Sequence, residues 1–277
     1  MTTNRISPDI IEKVIHLEKG QTFLNEAQFG LDRILESVRD LPSGSRILEV
    51  GSGAGILLTE LSRLFPEHTF VGIEPNGQGF QFFSDFQLSL GEQVKIHNGG
   101  YETFESDDTW DLIYSINVFE HLPDWRHFLL FLNKNLSSEG KATILCPNYS
   151  FPYEPHFGLP LIFSKKITFF LFQTRIEKFE KENDCLGLWN SLNFVKYHQV
   201  KSFVRRSNLK FKADFRIVED MVQRLSSDKD FAQRQKLLAW PAKFLLRTGL
   251  LKFILTFPGV HHFLPYLQIE IKKNPKT

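Results

Sequence analysis

The chain has 277 residues, a formal net charge of +1 and 42% hydrophobic residues. This length suits one domain with an elaboration and allows a sizeable core, while the near-neutral charge argues against a nucleic-acid partner. Cys146 and Cys185 form no C-x-x-C pair, residues 1–8 lack the apolar core of a secretory leader, and no uncharged stretch reaches the ~18 residues of a membrane span. We therefore expect a cytoplasmic protein.

The N-terminal 45 residues are predicted to form a helical cap. Two apolar stripes between residues 8 and 40 indicate two helices, and Ser7-Pro8 is typical of a helix start. The cap either covers a ligand pocket or packs against a sheet.

Strands and helices then alternate, which predicts an α/β fold with a parallel, doubly wound sheet. Gly140 is interpreted as the stop signal of the predicted helix 124–136. The predicted strands cover residues 46–50, 69–73, 93–97, 111–116, 141–146, 211–218 and 267–273, and the predicted helices cover residues 55–65, 77–90 and 124–136.

A glycine cluster follows the first predicted strand. The sequence there is Glu49-Val-Gly51-Ser52-Gly53-Ala-Gly55. A turn without Cβ atoms between a strand and a helix start lets a nucleotide-like ligand approach the backbone. In the dinucleotide fingerprint G-x-G-x-x-G the third glycine would fall on Ile56, so the cluster departs from that pattern.

An acidic residue ends the second predicted strand. Glu74 lies at the distance from the glycine cluster, ~20 residues, that is typical of a ribose-binding carboxylate. A carboxylate accepts two hydrogen bonds and can therefore hold two vicinal hydroxyls. We predict that Glu74 binds a ribose.

A third pattern follows the fourth predicted strand, where Trp110-Asp111 leads through Asn117 to Glu120-His121-Leu122-Pro-Asp124. Together, the three segments resemble the class I S-adenosylmethionine-dependent methyltransferases, nearest to the type 11/type 12 group that includes ubiquinone-biosynthesis O-methyltransferases. The resemblance covers residues 47–125.

This resemblance implies a Rossmann-like, seven-stranded sheet whose last strand is antiparallel and inserts beside the fifth. The methyltransferase domain would span residues 46–218 and 266–277. Many relatives carry an Asp after strand three, but this chain has none, so backbone groups there would meet the adenine. The resemblance implies S-adenosylmethionine as cofactor, with cofactor-binding residues Glu49, Gly51, Ser52, Gly53, Gly55, Glu74, Gly100, Tyr101 and Asn117.

The acceptor site is predicted at the loop that follows strand five. Residues 147–156 contain three prolines, which make the loop rigid, and they present Tyr153 and His156 on the same rim as the glycine cluster. A general base is needed only when the acceptor is protonated, as a phenol or carboxylic acid is. We name His156, His121 and Tyr153 as candidate catalytic residues and favour O-methylation of a small or lipid-like acceptor.

The segment 219–265 is an apolar helical insertion before the last strand. It is predicted to act either as a lid over the acceptor or, through residues 231–265, as a peripheral contact with a membrane surface. On one continuous helix Lys252 would lie opposite Lys243 and Arg247, which argues against the membrane contact. No metal site is predicted, and the oligomeric state stays open.

Two alternatives belong to other classes of protein. One is an NAD(P)-dependent oxidoreductase, which the displaced third glycine disfavours. The other is a non-catalytic, methyltransferase-like binding protein, which the missing Asp after strand three leaves open.

Overall fold

The computed structural model describes residues 5–75, 83–91, 93–257 and 259–274. Most strands of this part begin within two residues of the positions expected from the sequence. In chain order the strands are β1 (Arg46–Val50), β2 (Thr69–Glu74), β3 (Lys95–Asn98), β4 (Trp110–Ile116), β5 (Leu136–Pro147), β6 (Tyr153–Glu154), β7 (Leu159–Pro160), β8 (Leu209–Asp214) and β9 (Tyr266–Lys273).

Seven of these strands form one sheet in the order β3-β2-β1-β4-β5-β9-β8. Neighbouring strands among β1 to β5 are parallel, whereas β9 runs antiparallel to both β5 and β8. The predicted fold class is confirmed, including the insertion of the last strand beside the fifth. The short strands β6 and β7 pair separately as a hairpin in the loop after β5.

Helices flank the sheet on both faces. In chain order they are α1 (Pro8–Val14), α2 (Gly20–Arg39), α3 (Ile56–Leu64), α4 (Phe83–Leu90), α5 (Trp125–Asn135), α6 (Lys165–Glu182), α7 (Leu188–Ser191), α8 (Tyr197–Arg206), α9 (Ile217–Ser227), α10 (Lys229–Arg234), α11 (Lys236–Arg247) and α12 (Leu250–Leu255). The two N-terminal helices match the prediction, and residues 77–82 of the expected fourth helix lie outside the described part.

The sheet separates two apolar cores. Along β1, Ile47 packs with the cluster of α1 to α4 and α9, while Leu48 and Val50 pack with the cluster of α5 and α8. This alternation follows from the two-residue period of a strand. Burial on both faces explains why these strands are mostly apolar in sequence rather than alternating between apolar and polar residues.

The prediction that Gly140 ends a helix is wrong. Helix α5 ends at Asn135, and Gly140 lies within β5. The register of β4 and β5 shifts between Trp110 and Leu112, and a Cβ on Gly140 would lie 2.6 Å from the Trp110 carbonyl oxygen. The glycine therefore permits a close backbone approach at a strand irregularity.

The predicted sixth strand over residues 211–218 is also only partly correct. Strand β8 ends at Asp214, and Ile217 and Val218 are buried in the first turn of α9. The domain boundary expected at residue 218 consequently falls inside α9. A short apolar run is compatible with a strand or with a helix. Here Ile217 and Val218 form part of a helix because their side chains pack in the core as one face of α9.

The insertion contains α10, α11 and α12 and is interrupted at Gly249, where φ is 74°. A glycine accepts this left-handed conformation without the steric cost that a Cβ brings. Because Lys243 and Lys252 lie on different helices, α11 and α12, their positions around one continuous helix do not count against a membrane contact. Within the described ranges, no helix is both long and apolar enough to cross a membrane.

Candidate active site

The glycine cluster forms a tight turn between β1 and α3. Gly51, Gly53 and Gly55 have φ values of 79°, 50° and 74°, a region that favours glycine. The backbone N–H groups of Gly51 and Ser52 donate to the Ile73 carbonyl oxygen at 2.8 and 3.1 Å. These bonds fix the turn against the end of β2, beside Glu74.

Two buried carboxylates flank this turn. Glu74 accepts a hydrogen bond from the Gly53 N–H at 2.7 Å, and Glu49 accepts one from the Tyr114 hydroxyl at 3.1 Å. Burial raises the pKa of Glu74 to about 7 and, together with the nearby Glu74 charge, raises that of Glu49 well above its usual value. Neither carboxylate has a cationic partner within the part of the chain described.

The other predicted cofactor residues border the same space. Gly100 and Tyr101 follow β3, and the Tyr101 hydroxyl donates to the Asp124 carbonyl oxygen at 3.1 Å. Asn117 has φ 56° at the end of β4 and accepts a hydrogen bond from the Tyr266 hydroxyl. The Ser52 hydroxyl is buried and has no hydrogen-bond partner among the described residues.

A cavity of about 780 Å³ joins the glycine turn to the loop after β5. This is within the range of ~300–1,000 Å³ that is typical of small-molecule sites. Every residue predicted for cofactor binding or catalysis lines it, namely Glu49, Gly51, Ser52, Gly53, Gly55, Glu74, Gly100, Tyr101, Asn117, His121, Tyr153 and His156.

All three predicted catalytic residues line the cavity, and we call this set the acceptor wall. The rings of His121 and His156 are edge-on, with centroids 5.1 Å apart. The Tyr153 hydroxyl lies nearby in the chain, on β6, and has no hydrogen-bond partner among the described residues. Burial raises the pKa of Tyr153 to about 12, so at neutral pH its hydroxyl stays protonated and can donate.

Glu154 organises the loop that carries His156. Its fully buried carboxylate accepts hydrogen bonds from the backbone N–H groups of His156 and Phe157 at 3.2 and 2.7 Å, and from the Tyr149 hydroxyl at 3.3 Å. The ring Nδ1 of His156 lies 2.6 Å from the same carboxylate. Burial lowers the pKa of His156, but the charges of Glu154 and Glu120 outweigh it and raise that pKa overall.

The cavity lining also holds a charged network that sequence reasoning missed. Arg224 of α9 is buried and pairs with Glu26 of α2 and with Asp228, at 2.9 Å in each case. Its guanidinium also lies over the rings of Phe29 and Phe231, 4.9 and 4.5 Å from their centroids. The network ties the insertion to the N-terminal cap, and no local sequence pattern links residues ~200 positions apart.

A glycine turn at the carboxyl end of β1, a carboxylate at the end of β2 and an open cavity define an α/β protein that binds a nucleotide-like ligand. Residues 23–218 match a family model described as a methyltransferase domain. The chain belongs to this methyltransferase family. The predicted class is thereby confirmed: the protein is a methyltransferase that depends on S-adenosylmethionine.

Two proteins have sequences similar to that of this chain. An uncharacterized protein of Mycobacterium tuberculosis (strain H37Rv) is 35% identical over 217 residues, which are 76% of this chain and 73% of the relative. The mitochondrial ubiquinone biosynthesis O-methyltransferase of Bos taurus is 28% identical over 130 residues, or 45% of this chain and 34% of that protein.

Solved structures share the fold. The phosphoethanolamine N-methyltransferase 2 of Haemonchus contortus, in complex with phosphomonomethylethanolamine and S-adenosylhomocysteine, superposes with a TM-score of 0.52 at 12% identity. The match covers 89% of this chain and 52% of that one, so this chain corresponds to about half of the solved enzyme. The plantazolicin methyltransferase BpumL gives a TM-score of 0.50 at 15% identity, covering 96% of this chain and 91% of that one.

Proposed function

We propose that this protein methylates an oxygen atom of a small or lipid-like acceptor, which binds between the glycine turn and the wall of His121, Tyr153 and His156. The observation that carries the proposal is that one cavity is lined by both groups of residues. A donor at the turn and an acceptor at the wall would therefore share one cavity, where they can be aligned for an in-line displacement.

The donor half offers groups that complement S-adenosylmethionine, which supplies an electrophilic methyl group when bound. Glu74 can accept hydrogen bonds from two ribose hydroxyls. Glu49 is 4% exposed and, within the described residues, has no ion-pair partner. A buried carboxylate without a partner is unfavourable, and the ammonium group of a bound ligand would pair with it. A Cβ on Gly53 would already meet the Phe83 ring at 3.3 Å, which leaves little space for anything but glycine there.

The acceptor half explains our preference for oxygen. A hydroxyl or carboxylic acid must lose its proton before or during methyl transfer, and this wall carries imidazole and carboxylate groups that assist such a loss. The Tyr153 hydroxyl is buried and has no hydrogen-bond partner among the described residues, so an acceptor that reaches it would complete its hydrogen bonding. The relative from Bos taurus is named as an O-methyltransferase, which agrees with this preference.

We also propose that the insertion both roofs the cavity and contacts an anionic membrane surface from the cytoplasmic side. Leu238 and Ala242 of α11 line the cavity, whereas Trp240 on the other side of the helix is 77% exposed. On α12, Phe253 is 61% exposed. Exposed aromatic side chains beside cations are typical of helices that lie in a membrane interface.

Charge supports this surface contact. The segment 231–269 contains no Asp or Glu. Its cations are Lys236, Lys243, Arg247 and Lys252, together with Arg234, which pairs with Glu26. Each cation near an anionic bilayer contributes about 1 kcal/mol of attraction. An apolar acceptor would then pass from the membrane into the cavity beneath α11.

The decisive experiment is calorimetric titration with S-adenosylmethionine, followed by transfer of a radiolabelled methyl group to acceptor panels. Wild-type protein is expected to bind the cofactor and to label phenols or carboxylic acids, and Gly53→Arg, which fills the turn, is expected to lose binding. Labelling of amines alone would contradict O-methylation. Cofactor binding without turnover on any acceptor would favour the non-catalytic alternative.

A further inference from the structure

Glu120, His121 and His156 bring three potential metal ligands together at the acceptor wall. One ligand atom from each residue lies within 4.8 Å of those of the other two. We propose that this group binds a divalent metal ion of the zinc type, coordinated by the Nε2 atoms of the two histidines and the Glu120 carboxylate. The proposal deepens the proposed function, on which its catalytic role rests.

The two histidines are oriented as metal ligands usually are. His156 Nδ1 is 2.6 Å from Glu154 Oε1, and His121 Nδ1 is 2.9 Å from the Ser191 hydroxyl. The Nε2 atoms are left facing Glu120 Oε1, at 3.8 Å from His156 and 4.0 Å from His121. A second-shell partner on one ring nitrogen with the other directed at the ion is the common arrangement for metal-binding histidines.

Glu120 provides independent evidence for a ligand. Its side chain is fully buried, and neither carboxylate oxygen has a hydrogen-bond partner among the described residues. A buried carboxylate without a partner is strongly unfavourable. A proton would serve only one of its oxygens, and distances of 3.8 and 4.0 Å are too long for hydrogen bonds to the imidazoles.

The turn that carries Glu120 and His121 is fixed by hydrogen bonds from Asn193. The Asn193 side chain donates to the carbonyl oxygens of Phe119 and Leu122 at 2.7 and 3.0 Å, and its N–H donates to the Glu120 carbonyl oxygen at 2.7 Å. A zinc ion bonds to nitrogen and oxygen ligands at ~2.0–2.2 Å, which requires the three side chains to close by roughly 1 Å.

Three protein ligands and a side open to the cavity are the pattern of a catalytic rather than a structural zinc site. Both histidines line the cavity. An acceptor hydroxyl bound at the open position would have its pKa lowered, as metal-bound water does. Its O–H bond would break with release of the proton to solvent. The alkoxide or phenoxide then forms the new O–CH₃ bond as the S–CH₃ bond breaks, which leaves S-adenosylhomocysteine.

No pattern in the sequence indicated this group, and the sequence analysis predicted no metal site. Glu120 and His121 are adjacent in the chain, but His156 belongs to a separate loop whose position depends on Glu154. The grouping of these three residues is therefore visible only in the folded structure.

The test uses untagged full-length protein that has been stripped with a chelator and titrated with Co²⁺, with visible absorption as the readout and Zn²⁺ as competitor. Wild-type protein is expected to bind one equivalent. Glu120→Gln and His156→Gln are expected to weaken binding at least tenfold, whereas His198→Gln, an exposed histidine of α8, is expected to match the wild type. The absence of stoichiometric binding, or unchanged binding in both ligand variants, would overturn the proposal.

Calorimetry with S-adenosylmethionine on the same samples separates this proposal from the proposed function. Stripped protein that binds the cofactor but neither Co²⁺ nor Zn²⁺ would refute the metal site alone. Protein that binds the metal but not the cofactor would refute the methyltransferase site alone. Retained cofactor affinity in Glu120→Gln and His156→Gln would show that these variants are folded, so their loss of metal binding can be assigned to the ligands.

Discussion

The carboxylate of Glu74 accepts a hydrogen bond from the backbone N–H of Gly53, at 2.7 Å, across the turn between β1 and α3. The bond joins the second strand to the glycine turn. It also holds a carboxylate that is 6% exposed and whose pKa burial raises to about 7. Ionisation of Glu74 therefore disfavours folding, whereas we expect it to favour binding of the ligand.

Glu74→Gln is expected to stabilise the fold at pH 8. In wild-type protein the folded-state pKa is raised above 4.5 to about 7, so its stabilising contribution is complete below pH 4.5 and is lost as the pH rises through 7. The neutral amide keeps an acceptor for Gly53 and avoids this loss. Urea denaturation at pH 8 should show a gain of up to about 3 kcal/mol, shrinking at pH 5. Equal stability of both proteins at pH 8 would contradict the raised pKa.

The same carboxylate predicts a pH-dependent affinity for S-adenosylmethionine. Ribose hydroxyls prefer the ionised form, so wild-type affinity is expected to fall as the pH drops below about 7. Glu74→Gln should bind about tenfold more weakly at pH 8, the scale of one charged hydrogen bond, and should show no such pH dependence. Calorimetry from pH 6 to pH 8 measures both. A flat wild-type profile would remove Glu74 from the ribose site.

Gly51 and Val118 form a second testable pair. A Cβ on Gly51 would lie 2.2 Å from Val118 Cγ2, and φ at Gly51 is 79°. Gly51→Ala is expected to destabilise the protein by more than about 2 kcal/mol, because a steric clash adds to backbone strain. In a Val118→Ala background the same substitution should cost only about 1 kcal/mol, and denaturant titration of the cycle measures the coupling.

Gly44 supplies the matched control for that cycle. Its φ is 84°, yet nothing lies within 4 Å of a Cβ placed on it. Gly44→Ala should therefore report the backbone strain alone, about 1 kcal/mol, with cofactor affinity unchanged. If Gly44→Ala and Gly51→Ala proved equally destabilising, contact with Val118 would not be the reason for glycine at position 51.

The sequence predicted the sheet well because the inner strands are buried on both faces. Runs of mostly apolar residues such as Leu112 to Ile116 locate those strands with few alternatives. The sequence-based prediction was wrong at Gly140, where a strand irregularity requires a glycine, and at Ile217-Val218, where packing favours a helix over a strand. Both are decided by distant residues, which a local pattern does not contain.

The candidate site divides in the same way. The residues of the donor half follow the ends of strands. Because the ends of parallel strands meet at one edge of the sheet, the spacing of these residues in the chain is enough to group them. The acceptor half combines loops and inserted helices. Placing His156 beside Glu120, or Arg224 beside Glu26, needs tertiary contacts that the sequence does not display.

The exposed face of the insertion predicts binding to anionic vesicles. Burial of an aromatic side chain in the interface contributes about 1.5–3 kcal/mol, so Trp240→Ala and Phe253→Ala should each weaken binding about tenfold or more. Sedimentation with phosphatidylglycerol vesicles measures this, and binding should fall with added salt. Leu130→Ala removes an apolar side chain that is also exposed, at 51%, but lies on α5 outside the insertion, and should have no effect. Equal binding to uncharged vesicles would contradict the charge argument.

Glu154→Gln tests how the loop after β5 positions His156. The buried carboxylate accepts hydrogen bonds from the backbone N–H groups of His156 and Phe157. An amide must turn its own NH₂ group toward one of these donors, which should cost about 1–3 kcal/mol of folding stability. Because His156 loses its fixed orientation, turnover should fall further than acceptor KM changes, while affinity for S-adenosylmethionine is retained. Glu139→Gln, an exposed substitution in β5, should leave stability and turnover at wild-type values; a matching turnover for Glu154→Gln would show that the orientation of His156 is not needed for methyl transfer.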